Sequence, residues 1–99
     1  MYAVIFKAKI NQLDEHYATT ANHLREKALR DYGCTDFTSA TEGDYEIAIS
    51  YWPTLQHIQD WKNDSDHMSA RELGKRRWYQ GVKIEIIEIK RQYQWGDLE

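Results

Sequence analysis

The sequence predicts an α+β fold in which strands and helical regions follow one another in the order β-α-β-β-α-β. Three observations lead to this prediction. Apolar residues alternate with period two near both ends of the chain and in a central hairpin, as in strands with one apolar face. Two intervening segments carry apolar residues at spacings of three and four, as amphipathic helices do. Glycine and proline stand where the period changes. This order is the split βαβ, or ferredoxin-like, pattern: a four-stranded antiparallel sheet with the helices on one face.

The first strand and the first helix are predicted from a change of period. In residues 2–10 the apolar residues alternate and make one face of the strand strongly apolar. Residues 11–32 change to helical spacing, and Asp14 and Glu15 suit the positive N-terminal end of that helix. Gly33 is placed to end the helix in a left-handed conformation.

A β-hairpin is predicted next. Residues 37–41 and 45–51 alternate, and the turn between them at 42–44 has a central glycine that is free to take a positive φ. Cys34 is predicted to be a small filler at a strand start, because the charge of Asp36 would raise its pKa and disfavour a reactive thiolate.

The second helical region is predicted to consist of two helices. Pro53 suits the first turn of a short amphipathic helix over 55–62. The capping and turn residues at 63–66 interrupt it, so a second helix is expected to start there and to continue through 68–78. The segment is expected to end at Gly81.

The last strand is predicted over residues 82–93, which is long for a strand. Its apolar face changes sides near Ile86 and Ile87, so that either a bulge or contact with a second subunit is expected. Both features favour a homodimer formed through the sheet face and this strand.

Length and composition restrict the classes of protein that need to be considered. The 99 residues indicate a single domain over 1–99, which is small enough to gain from a partner subunit. The net charge of −3 disfavours nucleic acid as a partner. Cys34 is the single cysteine, which is typical of a reducing compartment. No charged-then-apolar leader opens the chain and no apolar run suits a membrane span, so a cytoplasmic location without a membrane partner is expected.

One set of residues in the second half of the chain resembles a known family. The set is Ser50-Tyr51-Trp52, Leu55, Ile58, Trp61-Lys62, His67, Ala70, Gly74, Arg77-Trp78-Tyr79 and Arg91-Gln92-Tyr93. On these residues the sequence resembles the antibiotic biosynthesis monooxygenase family. The resemblance implies a dimeric α/β barrel, in which two sheets pack back to back and each subunit holds a substrate between its sheet and its helices. The family includes cofactor-free oxygenases, haem-degrading enzymes and proteins with no known reaction.

The resemblance implies that Trp61 and His67 are the catalytic candidates. It places Trp61 where cofactor-free members carry a pocket tryptophan, and His67 where some of them carry a tyrosine. A cofactor-free oxygenase needs a dry pocket, a base that ionises the substrate and donors that hold the resulting anion. Histidine suits the base because its ordinary pKa lies near neutrality, and the indole N–H of tryptophan suits the donor. No cofactor and no metal are predicted.

Further side chains are predicted to contact a small hydrophobic or aromatic substrate, as flat apolar walls with polar tips or as an anion contact. They are Tyr51, Trp52, Trp78, Tyr79, Phe6 and Arg71. Two departures from the family's patterns bear on the activity: the first disfavours an oxygenase, and the second disfavours haem degradation while leaving a histidine-ligated haem open. The early strand lacks the pocket asparagine of some oxygenases, since Asn11 comes only at its end, and Trp61 is too close to His67 for the haem-degrading pattern.

Structural roles explain several of the same residues. A tryptophan at helical spacing is also typical of a hydrophobic core, and His67 beside a helix start could cap it or bond a carboxylate. Asp60, Asp64 and Asp66 suit turn and cap roles better than a metal site.

Three functions therefore stay open from the sequence. The first is a cofactor-independent monooxygenase acting on an aromatic or polyketide-like molecule. The second is a dimer that binds a small molecule in the same pocket without chemistry. The third, nucleic-acid binding by the sheet, is disfavoured by the negative net charge.

Overall fold

The computed structural model describes residues 1–98 and confirms the predicted fold class. Four strands and three α-helices alternate, and the third helix continues directly into a π-helical turn. The elements are β1 (Tyr2–Ile10), α1 (Tyr17–Asp31), β2 (Asp36–Glu42), β3 (Tyr45–Trp52), α2 (Leu55–Lys62), α3 (Ser65–Leu73), the π-helical turn (Gly74–Trp78) and β4 (Tyr79–Glu88).

The strands form one antiparallel sheet in the order β2-β3-β1-β4, as the ferredoxin-like pattern requires. In the centre of the sheet Phe6 is paired with Ala48 of β3 on one side and with Ile84 of β4 on the other. Because side chains alternate along a strand, this register places the even-numbered residues of β1 on one face, together with Trp52 of β3. The helices cover that face, as the sequence predicted.

The hydrophobic core lies between the helices and one end of the sheet. Its buried members are Ala28, Cys34, Trp52, Ile58 and Trp61. Trp52 is fully buried, and its indole Nε1 donates a hydrogen bond of 2.9 Å to the Ser50 hydroxyl, so that its polar atom has a partner inside the core. Burial raises the pKa of the Cys34 thiol, with a smaller contribution from Asp36, in agreement with the predicted role of a filler.

The start of α1 differs from the prediction. The helix begins at Tyr17, and the preceding residues form a turn in which the Asp14 carboxylate accepts the His16 backbone N–H at 3.0 Å. Asp14 and Glu15 therefore precede the helix instead of lying in its first turn. The backbone N–H of Asn11 bonds the Trp78 carbonyl at 2.7 Å, and this tertiary contact holds the chain extended where the periodicity indicated helix.

The first helix of the second helical region has the predicted bounds. Thr54 caps α2, because its hydroxyl accepts the His57 backbone N–H, so Pro53 precedes the helix instead of lying in its first turn. The expected break at 63–66 is confirmed, and Asp64 caps α3. The helical region ends at Trp78, so that Gly81 lies inside β4 and does not end the segment.

The last strand is shorter than predicted. β4 ends at Glu88, and residues 89–98 form neither helix nor strand. The expected bulge near Ile86 and Ile87 is absent, since both keep the regular pairing with β1; the one register shift lies at the other end of this strand pair, between Lys9 and Ile10. Apolar residues therefore occupy both faces of β4.

The sheet face opposite the helices, here called the back face, has an apolar area beside Lys7, Lys83 and Glu85 and lies uncovered in the single chain. It carries Ile5, Ile47, Ile49, Tyr51 and Ile87, all of them partly exposed. A face that only met water would carry polar residues at these alternating positions. The back face is thus a surface of the kind that a partner covers. Among residues 1–98, no helix has the length and apolarity needed to cross a membrane.

Alanine substitutions at Gly33, after α1, and at Gly43, in the hairpin turn, test how much of the need for glycine comes from its positive φ and how much from lack of space. Both have positive φ, 77° and 60°, but a Cβ at Gly33 would lie 2.6 Å from the His57 ring, whereas a Cβ at Gly43 would meet nothing within 4 Å. We expect Gly43→Ala to lower the free energy of unfolding by about 1 kcal/mol through backbone strain. Gly33→Ala should lower it by about 2–4 kcal/mol, because overpacking adds to that strain. Urea unfolding measures both, and equal losses would contradict the close contact between Gly33 and the His57 ring.

Candidate functional site

Two aromatic groups lie under the helices, at opposite ends of the sheet. The first, here called the Trp61 group, consists of Tyr32, Trp52, Trp61 and His67. Trp61 is at its centre, with ring centroids 6.3 Å from Trp52, 5.2 Å from Tyr32 and 4.8 Å from His67. Helix α2 presents Trp61 to the core because Ile58 and Trp61, three residues apart, lie on its buried side.

The second group, here called the Tyr79 group, consists of Phe6, Tyr17, Trp78 and Tyr79. The Tyr79 ring lies 5.7 Å from Phe6 and 6.0 Å from Tyr17, and Trp78 lies 5.1 Å from Tyr17. The Tyr79 hydroxyl donates to the Tyr17 oxygen at 2.8 Å. Burial raises the pKa of both phenols, so both are neutral at physiological pH.

Between these two groups the helix-facing side of the sheet is partly uncovered, and this open region is here called the cleft. Its floor is the helix-facing side of the central strands, where Phe6 and Ala48 stay partly exposed. Beside them, Ile84 and Ile86 of β4 are 54% and 50% exposed, because no helix covers this edge of the sheet. An apolar floor with aromatic walls is typical of a site for a flat hydrophobic molecule.

His67 is the titratable residue at the Trp61 end of the cleft. Burial lowers the pKa of the imidazole. The Lys62 backbone opposes this shift, while the positive charge of Arg71, four residues later on the same face of α3, adds to it, and the net effect is a lowered pKa. Nδ1 is shielded from solvent and has no hydrogen-bond partner among residues 1–98. His67 is therefore a neutral imidazole at physiological pH and is able to accept a proton.

A buried carboxylate holds this end of the site together. Asp64 accepts the backbone N–H groups of Asp66 and His67 at 3.0 and 3.1 Å with one oxygen. Its other oxygen accepts the Tyr32 hydroxyl at 2.6 Å and pairs with Lys27 at 2.8 Å. Burial alone would raise the pKa of Asp64, but hydrogen bonds from Lys27, Tyr32 and the His67 backbone outweigh it and lower the pKa well below its usual range.

Sequence reasoning treated Asp64 as a capping and turn residue and missed its partners. The cap was predictable, because an aspartate before a new helical period is typical of an N-cap. The partners Lys27 and Tyr32 were not predictable, since they lie in α1 and at its C-terminal cap and meet Asp64 only through tertiary packing. Asp66 shares this contact, as its carboxylate lies 3.0 Å from both Lys27 Nζ and His23 Nε2.

The predicted site residues do not lie together in a single site. Trp52, Trp61 and His67 lie together in the Trp61 group, while Phe6, Trp78 and Tyr79 lie in the Tyr79 group at the far end of the cleft.

The structure places the two remaining candidates outside the cleft walls. Tyr51 is paired with Ala3 on the back face, so its prediction as a wall between sheet and helices is wrong. Arg71 is exposed and lines a shallow depression of about 290 Å³ on α3 with Met68, Ser69 and Glu72. Within residues 1–98, no three His, Cys, Asp or Glu side chains are grouped closely enough to hold a metal ion.

Solved structures with the same fold include oxygenases. SnoaB, a cofactor-independent oxygenase from Streptomyces nogalater, matches with a TM-score of 0.77 at 7% identity, over 92% of this chain and 94% of that one. Rv0793 from Mycobacterium tuberculosis matches with a TM-score of 0.81 at 8% identity, over 94% and 98%. A structure named antibiotic biosynthesis monooxygenase matches with a TM-score of 0.73 at 15% identity, over 90% and 98%. At these identities the likeness shows the fold alone.

One curated protein has a higher sequence identity to this chain than these solved structures do. No protein-family model matches the chain. YqjZ, an uncharacterized protein of Bacillus subtilis, is 30% identical over 92 residues, which cover 92% of this chain and 81% of YqjZ. The chain thus belongs to the family of YqjZ, and its fold is that of the antibiotic biosynthesis monooxygenases.

Proposed function

We propose that this protein is a cofactor-independent monooxygenase that acts on a small aromatic or polyketide-like molecule in the cleft between the sheet and the helices. The observation that carries the proposal is His67, a neutral imidazole packed 4.8 Å from Trp61 at the end of an apolar cleft. A titratable group whose pKa is perturbed by burial in a cleft is typical of a catalytic site. The name of SnoaB supports this reading, since it describes an oxygenase of the same fold.

The proposed reaction begins with proton transfer. A substrate methylene made acidic by flanking rings and a carbonyl gives a proton to the His67 imidazole and becomes a carbanion. The electron-rich carbanion reacts with molecular oxygen, which the closed-shell neutral substrate does only slowly. The carbon loses two hydrogens and gains one oxygen atom as a ketone, and the second oxygen atom leaves with both hydrogens as water. The substrate is oxidised by four electrons and oxygen is reduced by four.

The neighbouring side chains have supporting roles in this proposal. The Trp61 indole N–H makes no hydrogen bond within residues 1–98, so it is free to donate to the anion or to reduced oxygen. Arg71 lies close enough to His67 to lower its pKa, and its positive charge would also stabilise an anionic substrate. The Tyr79 group would be the flat wall at the other end of the cleft.

We also propose that two copies pack through their back faces. The apolar residues there are too many for a solvated surface, and a chain of 99 residues gains proportionally more than a large one from an added interface. Residues 89–98, with Trp95 91% exposed, would add to this contact. The single cysteine is in keeping with the reducing environment of the cytoplasm.

A binding module without chemistry is the second candidate. The observation that favours it is the composition of the cleft floor, where the helix-facing residues Tyr2, Val4, Phe6 and Ala8 of β1 include no amide to hold reduced oxygen. In this case the same cleft would hold an aromatic ligand and release it unchanged.

Replacement of His67 tests the enzymatic proposal. With the hydroxylated anthrone dithranol as substrate, we expect the wild type to raise the oxygen-uptake rate above the protein-free rate. His67→Gln should lower the enzymatic rate by about 10²–10⁴-fold, because the base is lost while the ring's volume is largely kept. An oxygen electrode measures the rate.

His16→Gln is the matched control, because His16 is exposed and lies in the turn before α1. It should keep the wild-type rate. Equal rates for His67→Gln and wild type would exclude His67 as the base. Dithranol that binds the wild type but is recovered unchanged would favour the binding module.

The pH profile gives a second test. Because burial lowers the pKa of His67 below its ordinary value of 6.5, the neutral base persists at pH 7. We expect kcat/KM to be constant near neutrality and to fall only in acid, below the ordinary histidine pKa of 6.5. The residual activity of His67→Gln should lack this fall, and an unchanged acid limb in the variant would assign it to another group.

The molecular mass of the protein in solution tests the proposed contact between back faces. Light scattering should give the wild type a mass of about twice the 11.8 kDa of one chain. Ile49→Asp, which places a charge on the back face, should give the mass of one chain, because burying an unpaired charge is unfavourable. Leu55→Asp, at an exposed position of α2, is the control and should stay dimeric. A wild type with the mass of one chain would exclude the proposed dimer.

A further inference from the structure

A second polar depression lies outside the cleft, at the end of the sheet where β1 leads into the turn before α1. Its volume is about 350 Å³, and its lining residues are Asn11, Gln12, Asp14, Arg76 and Arg77. It is here called the Arg76 depression. Two of these residues come from the π-helical turn, and such turns are frequent at functional sites.

The walls of the depression are held in place by hydrogen bonds between its two segments. The Asn11 backbone N–H donates to the Trp78 carbonyl at 2.7 Å, and the Asn11 side-chain amide donates to the Arg77 carbonyl at 3.2 Å. The Asp14 carboxylate is fixed by the His16 backbone N–H and lies 3.8 Å from the Arg77 guanidinium. A ligand would thus meet a frame that is already ordered, which reduces the entropy lost on binding.

Donor groups in this frame have no partner within residues 1–98. The Arg76 guanidinium and the Gln12 amide make no ion pair or hydrogen bond there, and Arg77 has only the long contact to Asp14. Behind them, Trp78 is 3% exposed, and its indole N–H is buried without a hydrogen-bond partner. With two arginines and one aspartate, the lining carries one excess positive charge.

We propose that the Arg76 depression binds a small oxyanion, a carboxylate or phosphate group, through the Arg76 and Arg77 guanidiniums and the Gln12 amide. Planar guanidinium groups bind the two oxygens of a carboxylate or phosphate in parallel, and these charge-assisted bonds are stronger than neutral ones. An anion also suits the excess charge, whereas a cation would face two arginines. The lining of this site shares no residue with the cleft, although Trp78 lies beside both, and the proposal does not depend on the proposed oxidation.

Trp78 makes the proposal measurable. Its indole N–H lies at Asp14, where it contributes to lowering the pKa of that carboxyl although it stays outside hydrogen-bonding geometry. In a ¹⁵N-labelled sample we expect the Trp78 indole signal to shift and saturate with sodium acetate or inorganic phosphate at constant ionic strength. The Trp61 signal should stay in place, because Trp61 belongs to the group at the other end of the sheet.

Two variants separate this site from general charge attraction. Arg76→Gln should weaken binding about tenfold, since it removes a charge-assisted contact. Arg91→Gln loses the same charge in the exposed segment after β4 and should bind as the wild type does.

Each outcome decides the proposal. Saturation by acetate alone identifies a carboxylate ligand, by phosphate alone a phosphate ligand, and by both a general oxyanion site. Shifts that do not saturate, no shift with either anion, or equal weakening by Arg76→Gln and Arg91→Gln would overturn it.

Discussion

The candidate site depends on one buried carboxylate, that of Asp64. One of its oxygens caps α3 through the backbone of Asp66 and His67, while the other receives Lys27 and the Tyr32 hydroxyl from α1. A buried charge is tolerable only when its oxygens are satisfied, and here they are. The Tyr32 ring packs on Trp61, and the His67 backbone N–H donates to Asp64. The Asp64 carboxylate therefore helps to position both catalytic candidates. The pair is thus held by backbone and tertiary contacts rather than by its own side chains.

The cleft is open because the helices cover only part of the sheet face that they pack on. One helical layer faces a sheet that is apolar on both sides, so it covers only part of the available surface. Trp52 and its neighbours close one end of the helix face, while Ile84 and Ile86 of β4 stay exposed at the opposite edge. In the proposed function, the uncovered edge would give a hydrophobic molecule access to the sheet, and the apolar residues of the back face would contact a second subunit.

Local patterns were enough for the element order, the hairpin and the end of α1, because each depends on periodicity or on a single glycine. They failed where tertiary contacts compete with them. The Asn11 contact to Trp78 delays α1, and β4 ends at Glu88 although apolar residues continue beyond it. Tyr51 was misplaced for a different reason: β3 has one row of large apolar residues and one row with Ser50 and Trp52, and the larger row faces away from the helices. When both faces of a sheet are apolar, alternation shows which residues share a face but not which face is inside.

Two buried nitrogens without partners within residues 1–98 lie at the two ends of the same helical segment, His67 Nδ1 near the start of α3 and Trp78 Nε1 at the end of the π-helical turn. A buried polar atom without a hydrogen bond destabilises a protein by about 1–3 kcal/mol, and native structures keep few of them. A small domain has little stability to lose, so two such atoms on one segment call for a reason beyond packing. Each borders a candidate site: His67 the apolar cleft, and Trp78 the Arg76 depression. The segment from α3 through the π-helical turn therefore borders both of the proposed sites.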